Sequence, residues 1–140
     1  MKERDMQEAL AEAIRNAPLW PPGAEVIVAK PGDLAGVILT AVGKAKLCAV
    51  VGEPDELESV DGDTSFIQSS KWTISVFSVE LLNQTGIDDL HAAGLIRQIL
   101  GNTNPGDLWA EPLSRCNIRF AGEQDGIAAR DITFTAAYQA

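Results

Sequence analysis

The stretch that decides the fold is KWTISVFSVELL, residues 71–82. Trp72, Ile74 and Val76 alternate with smaller or polar neighbours, the two-residue period of a β-strand. Phe77, Val79 and Leu81 point the other way, so apolar side chains stand on both faces. A strand of that kind is at least partly covered twice and belongs at the centre of a sheet. The rest of the chain has to be arranged around it.

Toward the C-terminus, residues 88–100 predict a helix. Thr85 or Asp88 caps it, acids fill its first turn, and Gly101-Asn102 with Pro105 stop it. NTNPGDLWAEP (102–112) reads as a loop. Two strands close the chain. Ser114, Cys116, Ile118 and Phe120 alternate with Arg115, Asn117 and Arg119. Ile132, Phe134, Ala136 and Tyr138 alternate with Thr133, Thr135 and Ala137. AGEQDGIAA (121–129) joins them, which predicts an antiparallel hairpin with a longish loop.

Toward the N-terminus, Met6, Leu10, Ala13, Ile14 and Ala17 form one stripe of a helix over 3–17, ended by Pro18. PLWPPG (18–23) is rigid and extended, and EVIVA (25–29) is a short strand. Residues 34–43 admit a hairpin arm turning at Gly43. A helix behind an Asp33 cap suits the spacing of Leu34, Val37, Ile38 and Ala41 better. KLCAVV (46–51) is a buried strand ended by Gly52. Between it and the central strand, residues 53–70 read as a long acidic loop with neither period. Loops of that length are functional or mobile. The expected fold is α+β: a single compact domain over 1–140 with a mixed or antiparallel curved sheet. Two or three helices pack it, in the order α-β-α-β-β-α-β-β.

The chain has 140 residues, 46% hydrophobic and 22% charged, the composition of one globular domain. Its net charge of −9 argues against nucleic-acid binding and against docking on an anionic membrane. No apolar run has the length of a membrane span, and MKERDMQEALAEAIRN has no apolar signal-peptide core, so a cytosolic origin is expected.

Catalytic signatures are missing. Cys48 and Cys116 lie in apolar runs and read as small buried hydrophobes; no disulfide is required. With the single His91 they make no zinc pattern. His91 beside Asp88 and Asp89 offers a conceivable general base, but no nucleophile signature accompanies it. Asp61-Gly62-Asp63 with Glu58 offers oxygen ligands for Ca²⁺ without the register of an EF-hand. The Pro31-Gly32-Asp33 turn meets a helix start and is either an anion site or a plain capped turn. No nucleotide-binding glycine motif occurs. Neither a cofactor, a metal nor an enzymatic activity is expected.

Interface candidates are clearer. Glu53, Asp55, Glu56, Glu58, Asp61 and Asp63 carry the acidic loop without a basic residue. Arg115 and Arg119 flank Asn117 on the outward side of a strand. An acidic loop and a basic strand face on one chain allow head-to-tail self-association into a ring. Trp20 and Trp109 lie in loops, where they either anchor a partner or fold back on the core edge; Trp72 belongs to the core.

The whole pattern resembles the tail terminator, or tail completion, proteins of phages and prophages, the Mu-like prophage group included. The likeness rests on KWTISVFSVELLNQ, GIDDLHAAGLIRQILGN and the closing RDITFTAAYQA, with an acidic loop before them, and it spans residues 3–140. It implies a structural subunit without catalysis. Such subunits form a ring, often hexameric, that caps the tail tube and joins it to the head. Its partners would be further copies, the tail tube protein and the head connector. Its place would be the host cytoplasm during assembly and then the virion tail. A head-tail connector or neck subunit is the nearest alternative, and a small-molecule or anion-binding domain is the alternative from another class.

Overall fold

A computed structural model describes residues 2–56, 67–79, 88–101 and 114–139. Three helices, α1 (Lys2–Arg15), α2 (Leu34–Ala45) and α3 (Asp89–Gly101), accompany six strands. The strands are β1 (Glu25–Val28), β2 (Leu47–Val51), β3 (Asp55–Glu56), β4 (Ile67–Ser78), β5 (Ser114–Gln124) and β6 (Ile127–Gln139). The sheet runs β1-β2-β4-β6-β5, with β3 pairing β4 off this path. Only β1 and β2 are parallel; β4 pairs antiparallel with β2, β3 and β6, and β6 with β5. The fold is a mixed α+β sheet with β4 at its centre, as its two-faced apolar pattern requires.

Register sorts the side chains by face. Trp72, Ile74 and Val76 of β4 share a face with Ala49, Val51, Ile132 and Phe134, and all are buried. Against that face lie α1 through Met6, Leu10 and Ile14, and α3 through Ala92, Ile96 and Leu100. The opposite face carries Ile27, Cys48 and Phe77 and is covered by α2 through Ala41 and Val42. One face thus holds two helices and the other holds one.

Four features depart from the sequence reading. The acidic loop is shorter than 53–70, because Asp55–Glu56 pairs with Ser70 and Lys71, and β4 starts at Ile67. Backbone pairing decides this, and residues of poor strand propensity can be recruited by a long neighbour. The hairpin loop contracts to Asp125-Gly126. Both residues have positive φ, 54° and 79°, as in the tight Asp-Gly turn that matches strand twist. Strand β5 is not a clean alternation: its register slips between Ser114 and Asn117 and again between Phe120 and Gly122. Cys116 and Ile118 reach the core, whereas Phe120 is exposed. Helix α2 forms with Asp33 at its N-terminus, but its buried residues are Ala41 and Val42, and Val37 is 48% exposed. A helix apolar all round cannot bury every side against a single sheet face.

Candidate functional site

Three of the proposed site residues, Glu58, Asp61 and Asp63, and also Trp109, lie outside the described residues. The remaining acids are spread along one edge. Glu53 is exposed and sits 3.8 Å from Arg4. Asp55 is exposed on β3, and Glu56 follows it on the same strand. Arg119 is exposed on β5, facing Asp131 across the ladder to β6. Ser75 of β4 donates a hydrogen bond to Asp131 at 2.7 Å. From β3 to β5 the path crosses β4 and β6, three strand spacings or about 14 Å. Asp55 and Arg119 therefore do not meet within one chain. Arg115 lies in β5 between Ser114 and Asn117, where the register to β6 shifts.

Trp20 is not open to a partner. It is 5% exposed in the main core, and its Nε1 donates to the Ala24 carbonyl at 2.9 Å. The rigid prolines fold the ring back, because a buried indole is satisfied there by a backbone acceptor.

The alternative chemistries find little support. At the Pro31-Gly32-Asp33 turn the Asp33 carboxylate already accepts from the Gly36 amide at 3.0 Å, so the helix end is capped by an anion of its own. Open α/β sheets bind ligands at the carboxyl ends of parallel strands. Here that place is filled. Buried Gln7 donates through Nε2 to the carbonyls of Ala29 at 2.8 Å and Val51 at 2.9 Å, and Arg4 donates to Ala29 at 3.1 Å. His91 is exposed; its backbone amide, not its ring, is held by Asp88 at 2.8 Å. Asp89 is buried against Arg130, Nε to Oδ2 2.9 Å, and so is committed elsewhere. Among the described residues no group of three or more His, Cys, Asp or Glu side chains could hold a metal ion. Both cysteines are free. Burial pushes the Cys48 thiol up to about 12, helped by the Glu25 carboxylate, which keeps it protonated and a poor nucleophile.

What the sequence reading missed is apolar. Between α2 and the hairpin tip lies a groove of about 580 Å³, lined by Ile38 and Leu39 on one side and by Phe77, Ile127 and Ala129 on the other. Leu39 is 61% exposed. Across the sheet, Phe120 and Leu90 are 52% and 54% exposed. The Arg130 guanidinium stands over the Phe120 ring, 5.2 Å from its centroid. Leu39 lay outside the helical stripe chosen from spacing, and that omission was itself the available signal.

The chain shares its fold with a virion protein chain. That chain belongs to the virion of a native gene transfer agent particle; the TM-score is 0.64 at 18% identity, over 96% of this chain and 95% of that one. No family model matches the sequence, and no curated protein matches it.

Proposed function

We propose that the chain is a structural subunit of a phage-like particle, and within it a tail terminator. One observation carries this reading. The likeness to a chain of a gene transfer agent virion runs through nearly the whole length of both chains, so the entire fold is shared and not a fragment of it. The sequence resemblance to tail terminators supplies the position within the particle. In that role copies of the chain form a ring on the end of the tail tube, stop its growth and present a surface to the head connector. The chain would act in the host cytoplasm during assembly and remain in the virion. An acidic wall suits a passage for DNA, because it offers no counterion-release gain to hold the polymer.

Deleting the reading frame from its parent phage or prophage and imaging the induced lysate by negative stain tests this. Overlong tail tubes with unjoined heads are expected. Tubes of normal length beside unjoined heads would move the subunit to the neck. Intact particles would remove it from the tail altogether.

A further inference from the structure

We propose that copies of this chain join head to tail, the Leu90–Phe120 ridge of one copy entering the groove between α2 and the hairpin tip of the next. The proposal rests on the assembly reading above and names its contact surfaces.

Each surface carries exposed apolar side chains that no apolar group among the described residues covers. Among the described residues the large hydrophobic side chains left exposed are Leu19, Val37, Leu39, Leu90 and Phe120, and three of these form the two surfaces. One surface is concave. Its floor is Phe77, Ile127 and Ala129, and Leu39 stands at its wall. The other is exposed on the α3 side, Leu90 at 54% and Phe120 at 52%. Asp89 and Arg130 form a pair at 2.9 Å, Leu90 follows Asp89 on α3, and Phe120 lies under the guanidinium of the same Arg130. The ion pair and the cation–π contact hold the ring beside the helix end, so little side-chain freedom is left to lose on docking.

Geometry selects the mode of association. Phe120 pairs in register with Arg130 on the face packed by α3, whereas Phe77 and Ala129 pair on the face packed by α2. Ridge and groove thus lie on opposite faces of one sheet. A two-fold dimer would bury one patch against itself and leave the other open. A contact between two different patches repeats from copy to copy, and closes into a ring or grows as a filament.

Charge agrees with this pairing. Glu123 and Asp125 line the groove at the hairpin tip and are exposed. Arg97 is exposed on α3 two turns beyond Leu90, on the ridge side. The sheet edges are poor substitutes. Strand β1 has 4 residues, and Arg15 donates to its Val26 carbonyl at 2.8 Å. Strand β5 slips register twice. Bulges and side-chain cover of this kind oppose edge-to-edge pairing.

The test uses the full chain with Cys48→Ala and Cys116→Ala as background. Leu39→Cys and Phe120→Cys are introduced singly and the two variants mixed under mild oxidation. A disulfide dimer is expected from the mixture and not from either variant alone, and the chain carrying both should give a ladder of multimers. A dimer from Leu39→Cys alone would mean a two-fold contact and overturn the proposal, as would no dimer from the mixture. In the otherwise native chain, Leu39→Glu should lower the sedimentation mass at high concentration and leave the melting temperature unchanged. A chain that stays monomeric at every concentration, while its deletion still gives overlong tails, overturns the interface and leaves the tail reading standing. Cross-linking as expected together with intact tails overturns only the tail reading.

Discussion

Cys48 shows how far one residue's chemistry follows from its place. It is fully buried on β2, and its thiol is raised from 9.0 to about 12, first by burial and then by the carboxylate of Glu25. Cys116 is also raised by burial, partly offset by Arg97. The native state therefore holds the Cys48 proton in a range where the unfolded chain releases it. Stability from this residue is complete below about pH 9 and is lost as the pH climbs toward about 12. Comparing Cys48→Ala with the parent by urea unfolding between those limits should show a shallower fall in the variant. Parallel curves would mean that the thiol is not buried as described. Apolar flanks made this burial legible in the sequence. The burial of Trp20 was not legible in that way, since a tryptophan between loop prolines fits a core edge and an interface equally well. The Ala24 carbonyl, four residues on, decided it.

At the scale of elements, local signals and pairing signals had different fates. The helices were readable because capping and period are local. Asp33 caps as its position foretold, through the Gly36 amide, and of the two residues offered for α3 it is Asp88 whose carboxylate accepts from the His91 amide. Replacing Asp33 by Ala should cost about 1 kcal/mol of stability, measured by chemical denaturation. No change would show that the cap carries no weight in this fold. The buried Gln7 had no sequence signal at all, since it sits within the apolar stripe of α1 and satisfies carbonyls of Ala29 and Val51 that come from far along the chain. Gln7→Leu removes the amide donor from both carbonyls, but Arg4 still reaches Ala29 and the Ala29 amide still bonds Val51, so the change should destabilise by roughly 0.5–1.5 kcal/mol. A neutral result would show that water replaces the amide. Strand ends were misread for the same reason as Gln7. The extension of β4 back to Ile67, and of β5 and β6 up to a two-residue turn, comes from cross-strand partners. The Asp125-Gly126 pair was the one local clue to the tight turn.

For the molecule as a whole, charge and apolar surface act in opposite directions. A net charge of −9 drives copies apart, and the groove and ridge draw them together. Glu53 and Asp55 are exposed, and the 3.8 Å approach of Arg4 to Glu53 is a surface pair of small energetic weight. Glu53→Gln with Asp55→Asn should therefore leave the melting temperature unchanged and strengthen self-association, most clearly at low salt, by sedimentation. Weaker association would mean that these carboxylates themselves touch a neighbour. The α+β class, helices α1 and α3 and the central place of β4 were legible in the sequence, and for residues 34–43 the spacing favoured the helix over a hairpin arm. Period, capping and composition are properties of neighbours along the chain. Which acids and arginines come together, where Trp20 goes, and which apolar residues stay uncovered were settled by the tertiary structure alone. They depend on strand register and on how many helices each face of the sheet receives. Phe120 pairs in register with Arg130, one step beyond Ile118 on the same face, and is covered there by a guanidinium instead of a helix, while a face with one helix is enough to leave Leu39 uncovered.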